Sequence, residues 1–231
     1  MSTIPAIGII ETVSGRFVNL LEPKIDDIDA DDMAWGLSRM PRYAGHTINE
    51  LLYSVGQHSI FVTETLQRAW NPKEDGIRAS LMDFIEKQST VLREAMLEYW
   101  AKPKPPRQLL LAGLLHDGSE AYLLDIPTPL KNMPGIKEAY GRLEAQFMSL
   151  IWQKFGVKEE DDVVHALVRW ADSYTLTIEA YHLMRSRGKG WPKLTPVTLR
   201  GLQEFKLPYA SIHVYEDFKA WLEELTEHYT E

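Results

Sequence analysis

Residues 108–124 read QLLLAGLLHDGSEAYLL. The apolar run at 109–115 is far too short to span a bilayer, which takes about 20 residues. Its unbroken apolarity points to a helix buried in a protein core. His116 and Asp117 follow at once, and Glu120 comes within one further turn. An imidazole and two carboxylates at the mouth of a buried helix are costly to desolvate unless something pairs with them. A divalent metal is such a partner. On one helix over 108–124, His116 and Glu120 share a face at i,i+4, and Asp117 and Glu120 approach at i,i+3.

The rest of the chain reads as further helices around this one. Residues 7–21, IGIIETVSGRFVNLL, suggest two short strands turning at Ser14-Gly15, with Pro23 as the end. Asp31 or Asp32 would cap a helix through MAWGLSRM, stopped at Pro41. Residues 53–70 have helical periodicity, with Val55, His58, Val62 and Leu66 on neighbouring faces. A long amphipathic segment spans 75–100 and ends in the stiff stretch AKPKPP. Helices are expected at 140–155, closed by Gly156, at 161–186, and at 215–229, with a basic loop RGKGWPKLTP before the last. The fold class is therefore all-α in the main, with a small N-terminal β-hairpin. No repeat or low-complexity tract is evident, and residues 1–231 read as a single domain.

Composition narrows the function. The 231 residues carry 25 Lys and Arg against 33 Asp and Glu, a net charge of -8. That balance argues against binding a long nucleic acid through its phosphates. A small phosphorylated substrate stays open, because a metal and a few local cations can invert the field inside one pocket. Cysteine is absent, so any metal must use nitrogen and oxygen ligands. With no secretory leader and no membrane-spanning run evident, a cytoplasmic location is expected.

Two more ligands would complete a site at His116-Asp117. His58 lies within an apolar helical stripe, where an uncommitted histidine is awkward, although a lone buried histidine is often only a packed one. Asp172 follows Ala171 on the inner side of its helix, although a lone Asp is often a surface or capping residue. Two His and two Asp suit Mn, Co, Zn, Fe or Mg.

The segments RYAGH (42–46), YSVGQHS (53–59), LLHDGSEAYLLDIPTPLK (114–131) and WADSYTLTIEA (170–180) resemble those of the HD-domain metal-dependent phosphohydrolases. The likeness covers most of residues 9–185. It is strongest to phage dATP triphosphohydrolases, prophage HD phosphohydrolases and bacterial 5'-deoxynucleotidases. HDxxEAYxxDIPxPLK is the specific part, and the HD pair alone would say little.

The resemblance implies an HD-type helical bundle and metal ligands at His58, His116, Asp117 and Asp172. It implies that Glu120 positions or deprotonates the attacking water, and that Asp125 and Lys131 meet the substrate, Lys131 as a point cation for phosphate. Arg42 and Tyr43 match an Arg-aromatic pair that grips phosphate and lies against sugar or base. An aromatic residue at that place in related deoxynucleotidases helps exclude the ribose 2'-hydroxyl, a role that Tyr in place of Trp leaves open. Trp35 is a second stacking candidate, with core packing as its alternative. His46 belongs to RYAGH but is placed outside the metal ligands. His165 and Glu179 share the face of Asp172 at seven-residue spacings and are expected on the surface, with support of the ligands as the alternative.

Compact relatives join the His58 and His116 helices with far less chain, so about 71–106 reads as a helical insertion that covers the site, extends the core or builds a subunit interface. The basic loop with Arg185, Arg187, Lys189 and Lys193 follows the Asp172 helix and could approach a triphosphate. The implied activity is hydrolysis of a 2'-deoxynucleotide, with dATP triphosphohydrolase first and 5'-deoxynucleotidase second. A catalytically silent nucleotide-binding module is the alternative of another class. The implied partners are a divalent metal, a small deoxynucleotide and further copies of the chain in a dimer or hexamer. Neither membrane nor long nucleic acid is expected, and a phage-encoded chain would work in the host cytoplasm.

Overall fold

The computed structural model describes residues 7–192 and 194–228. Strands β1 (Ile9–Glu11) and β2 (Phe17–Asn19) pair antiparallel with Ile10 opposite Val18. Gly15 supplies the positive φ of 82° that the turn requires. Helix α1 (Ala30–Arg39) is capped by Asp29, whose Oδ1 accepts from the Asp31 and Asp32 amides at 2.9 and 3.1 Å. Neither expected cap is used. Asp32 instead turns inward and accepts from the Thr12 hydroxyl, the Ser14 amide and the Ser14 hydroxyl at 2.7, 2.8 and 2.7 Å, tying the hairpin to α1.

Ser54 caps α2 (Val55–Ala69) by accepting from the Gln57 amide. This helix packs against α1, against α5 (Arg107–Leu115) and against α9 (Asp162–Leu183), so most of its residues are buried. Every residue of α5 from Leu109 to Leu115 is buried, as its unbroken apolar sequence requires. Gly113 lets α2 and α5 cross closely, because a Cβ there would stand 2.5 Å from Leu66 Cδ1. That crossing brings His58 and His116 together.

Residues 71–106 hold two helices rather than one, α3 (Asp75–Glu86) and α4 (Thr90–Trp100), the second begun by a Ser89 cap. Ile77, Leu81, Ile85 and Met96 join the main core. The Arg78 guanidinium and the Trp100 indole both donate to the Ala69 carbonyl. That anchor is at the far end of α2 from His58, about 16 Å away at 1.5 Å per residue, so the segment extends the core there.

The helix expected over 108–124 is interrupted. Helix α5 stops at Leu115, His116 caps it, and α6 (Glu120–Leu123) restarts after a turn. Asp117, Gly118 and Ser119 are weak helix formers whose side chains or backbone freedom favour a turn. His116 and Glu120 are therefore separated by a bend, and the i,i+4 spacing of one continuous helix does not relate them. Leu124 then takes φ 72° and ψ 153° and leads into the short α7 (Thr128–Lys131).

Helix α8 (Ile136–Phe155) starts a turn earlier than expected, where Gly135 has φ 85° and its amide donates to Glu138. It ends at left-handed Gly156, as expected. After α9 come α10 (Leu199–Leu202) and α11 (Ser211–Glu223), and the chain continues through a wider turn, Glu224–His228. Lys193 and Tyr229 lie outside the described residues. Among the described residues no helix is long and apolar enough to cross a membrane.

Candidate metal centre

His58 sits on the first turn of α2, His116 and Asp117 follow the end of α5, and Asp172 faces them from α9. The ligand atoms of His58, His116 and Asp117 lie within 4.8 Å of one another. The two Nε2 atoms are 3.3 Å apart, and Asp117 Oδ2 is 3.7 Å from that of His58 and 3.2 Å from that of His116. Asp172 Oδ1 stands 3.2 Å from His58 Nε2 at the more open edge, its side chain 42% exposed.

The tautomers follow from the partners of the other ring nitrogens. His116 Nδ1 is 2.8 Å from the Gly113 carbonyl, which can only accept, so Nδ1 carries hydrogen. His58 Nδ1 is 2.7 Å from Glu179 Oε1. Burial alone would raise the Glu179 carboxyl, but His58 and Arg42 hold it down to about 2, so it also accepts. With both rings neutral, each would turn an Nε2 lone pair towards the other and towards a carboxylate oxygen. Lone pairs that face one another repel unless a proton or a cation lies between them. Two imidazoles and a carboxylate form a donor set that holds a divalent metal ion, and hydrogen bonds on the Nδ1 side are what orient such ligands.

The electrostatics agree. Burial alone would raise the Asp117 carboxyl, yet His116, His58 and Arg42 keep it well below the ordinary range. Burial and Arg42 push the His58 imidazole down, but Glu179 and Asp172 outweigh them and hold it up to about 9.

Glu120 is 4% exposed. Its Oε1 accepts from Lys131 Nζ at 3.1 Å, while its Oε2 is buried without a hydrogen-bond partner. Burial, with Asp117 and Asp125 nearby, pushes this carboxyl up to about 8 against Lys131 and Arg42. Asp125, half-buried on the loop after α6, is pushed up by burial and by Asp117, and Arg42 opposes the rise. Lys131 also donates to Glu144 Oε1 at 2.9 Å, so two carboxylates already share its charge.

Arg42 reaches Asp117 Oδ2 at 3.3 Å through Nη1 and Glu179 Oε2 at 3.4 Å through Nε. Tyr43 donates its hydroxyl to Glu179 Oε2 at 2.6 Å, and its ring lies 5.8 Å from that of Trp191. That ring contact brings the basic loop to the edge of the site, although Arg185, Arg187 and Lys189 are exposed.

Trp35 stands apart. It stacks on Tyr215 at 4.1 Å with Arg39 over its other face, so α11 and not the pocket accounts for it. His46 is exposed, and His165 Nε2 meets the Glu159 carbonyl.

Glu179, expected on the surface, is fully buried, and it accepts from Tyr53 and Tyr43 as well as from His58. Its place two turns beyond Asp172, between Ile178 and Ala180, was the signal. Tyr53 gave none, because its role depends on a long-range contact.

Fold and site thus define a mainly helical protein with a His-His-Asp group able to hold a divalent metal. No protein-family model matches the chain. It is similar to the uncharacterized protein YfdR of Escherichia coli, at 26% identity over 96% of this chain and 97% of that protein. It is also similar to an uncharacterized protein of Rhodobacter capsulatus, at 29% identity over 82% of each.

Proposed function

We propose that the chain is an HD-type metal-dependent phosphohydrolase of 2'-deoxynucleotides, with a deoxynucleoside triphosphate such as dATP as substrate. The observation that carries this reading is the pair of Nε2 atoms turned on each other beside Asp117, with the partnerless Glu120 Oε2 buried close by. Asp172 is the fourth ligand in this reading, and Mn, Co, Zn or Fe suits the mixed nitrogen and oxygen set. Mg suits the substrate phosphates.

A bound divalent ion supplies a water acidified towards neutrality and a Lewis-acid contact for a phosphoryl oxygen. Glu120, whose ionised form a divalent cation beside it would favour, then takes the proton of the attacking water at Oε2, where no other hydrogen bond competes. Lys131 holds Glu120 through Oε1 and neutralises the pocket as negative charge develops. The Arg42 guanidinium presents its remaining donors to phosphate, while its contacts to Asp117 and Glu179 fix its plane. In this reading Asp125, whose carboxyl burial pushes up, meets the substrate. The basic loop beside Tyr43 offers further charge for a triphosphate.

One observation favours a monophosphate instead. Arg42 and Lys131 are each already paired with two carboxylates, which leaves little free positive charge close to the metal group. The second reading is therefore a 5'-deoxynucleotidase.

Purified protein incubated with Mn²⁺ and either dATP or dAMP separates the two. Deoxyadenosine and intact triphosphate from dATP support the first reading. Orthophosphate and dADP from dATP contradict it, and turnover of dAMP alone selects the second. Binding of metal and nucleotide without turnover would make the chain a silent binding module.

A further inference from the structure

We propose that Glu179 and Tyr43 are positioning residues for the metal centre, with Tyr43 acting through its hydroxyl on Glu179 and not as a stacking ring. The inference rests on the metal-dependent reading above.

Glu179 is 0% exposed, so no bulk water can replace a lost partner. Its two oxygens face different parts of the pocket. Oε1 accepts from His58 Nδ1 and from the Tyr53 hydroxyl, both at 2.7 Å. Oε2 accepts from the Tyr43 hydroxyl at 2.6 Å and lies 3.4 Å from Arg42 Nε. One carboxylate therefore joins a metal ligand to the Arg42-Tyr43 turn.

That turn cannot hold itself. Tyr43 and Ala44 have φ of 57° and 51°, left-handed values that non-glycine side chains rarely adopt. Such a conformation persists only where surrounding contacts over-determine it. The Arg42 amide on the Tyr53 carbonyl and the His46 amide on the Tyr43 carbonyl close the backbone. The Tyr43 hydroxyl on Glu179 fixes the side chain.

Burial and the adjacent carboxylate keep this phenol protonated, so it donates. Without it, Glu179 Oε2 would lose its shortest hydrogen bond in a place that water does not reach. The carboxylate would be free to rotate, and His58 would lose the contact that fixes its ring. Metal affinity should then respond to a residue that touches no ligand atom. A tyrosine that only lay against a base or sugar would leave metal affinity unchanged when no nucleotide is present.

The test is calorimetric titration of Mn²⁺ into metal-stripped, nucleotide-free protein, with circular dichroism melts to establish folding. Glu179→Gln should weaken binding about 10–100-fold, the effect typical of a carboxylate behind a metal-bound histidine. Tyr43→Phe, which keeps the ring, should weaken it about 3–10-fold, as one hydrogen bond would. The double variant should bind no more weakly than Glu179→Gln alone. Wild-type affinity in Tyr43→Phe, or a double variant weakened by the product of the single effects, overturns the coupling while the metal reading stands. A wild type that takes up no Mn²⁺ overturns the metal reading itself. If Glu179→Gln does not fold, Tyr43→Phe decides alone, because its half-buried side chain loses only an oxygen.

Discussion

His58 and His116 turn the same ring nitrogen towards each other, Nε2 to Nε2 at 3.3 Å, while their Nδ1 atoms are held by Glu179 and by the Gly113 carbonyl. Two neutral rings in those tautomers would have nothing to donate to each other, so the pair needs a shared proton or a metal cation between them. Asp117 supplies the third donor of a metal group.

Glu120 should separate from the ligands on mutation. Glu120→Gln keeps the shape of the side chain and removes its capacity to take a proton. It should retain metal and lose about 10²–10⁴-fold in turnover, the usual share of a general base. Metal content and initial rates on the same preparation check this. Metal loss equal to that of a ligand variant would make Glu120 a ligand.

Asp32 should matter for stability although it is remote from the chemistry. Its carboxylate accepts three hydrogen bonds from Thr12 and Ser14. Asp32→Ala should cost about 2–3 kcal/mol, as expected for hydrogen bonds to a charged group at a buried site. Urea unfolding measures it, and a loss under 0.5 kcal/mol, roughly the floor for one ordinary neutral hydrogen bond, would show that the hairpin docks without Asp32.

Much of the architecture could be read from pattern. The apolar run at 109–115 is buried throughout, and Ser14-Gly15 turns the hairpin. Sequence pattern and structure part where local choices compete. Any of Asp29, Asp31 and Asp32 can cap α1, and only the pull of Thr12 and Ser14 on Asp32 settles which does. The break at residues 117–119 is a balance between weak helix formers and an apolar pattern that continues through Tyr122 and Leu123. In the site, His58, His116 and Asp117 converge, as the apolar stripe around His58 and the family resemblance led one to expect. Glu179 has a local hint of burial in its neighbours Ile178 and Ala180, but nothing local says that two tyrosines 126 and 136 residues away meet it and make a buried carboxylate tolerable.

Gly113 should resist substitution. A methyl group there meets Leu66 Cδ1 at 2.5 Å inside the α2–α5 crossing. Gly113→Ala should cost about 1–3 kcal/mol, the range for overpacking a core, and should also weaken metal binding by parting His58 from His116. Thermal unfolding with a parallel Mn²⁺ titration checks both effects. Unchanged stability would mean that Leu66 has room to move.

Leu124 offers the reverse case. Its φ of 72° with ψ of 153° suits glycine, and its side chain is 60% exposed. Leu124→Gly should raise stability by about 1 kcal/mol, since relief of about 1–3 kcal/mol of strain exceeds the entropy that glycine loses. Denaturant unfolding measures this, and a net loss would mean that packing of the Leu124 side chain outweighs the strain.

The most direct measurement is the metal content of stripped and reconstituted protein by elemental analysis, for wild type and Asp117→Ala at equal concentration. Wild type should hold a single tightly bound divalent ion per chain, and the variant should lose it with the fold intact by circular dichroism. No ion in wild type, or equal retention in Asp117→Ala, would contradict it.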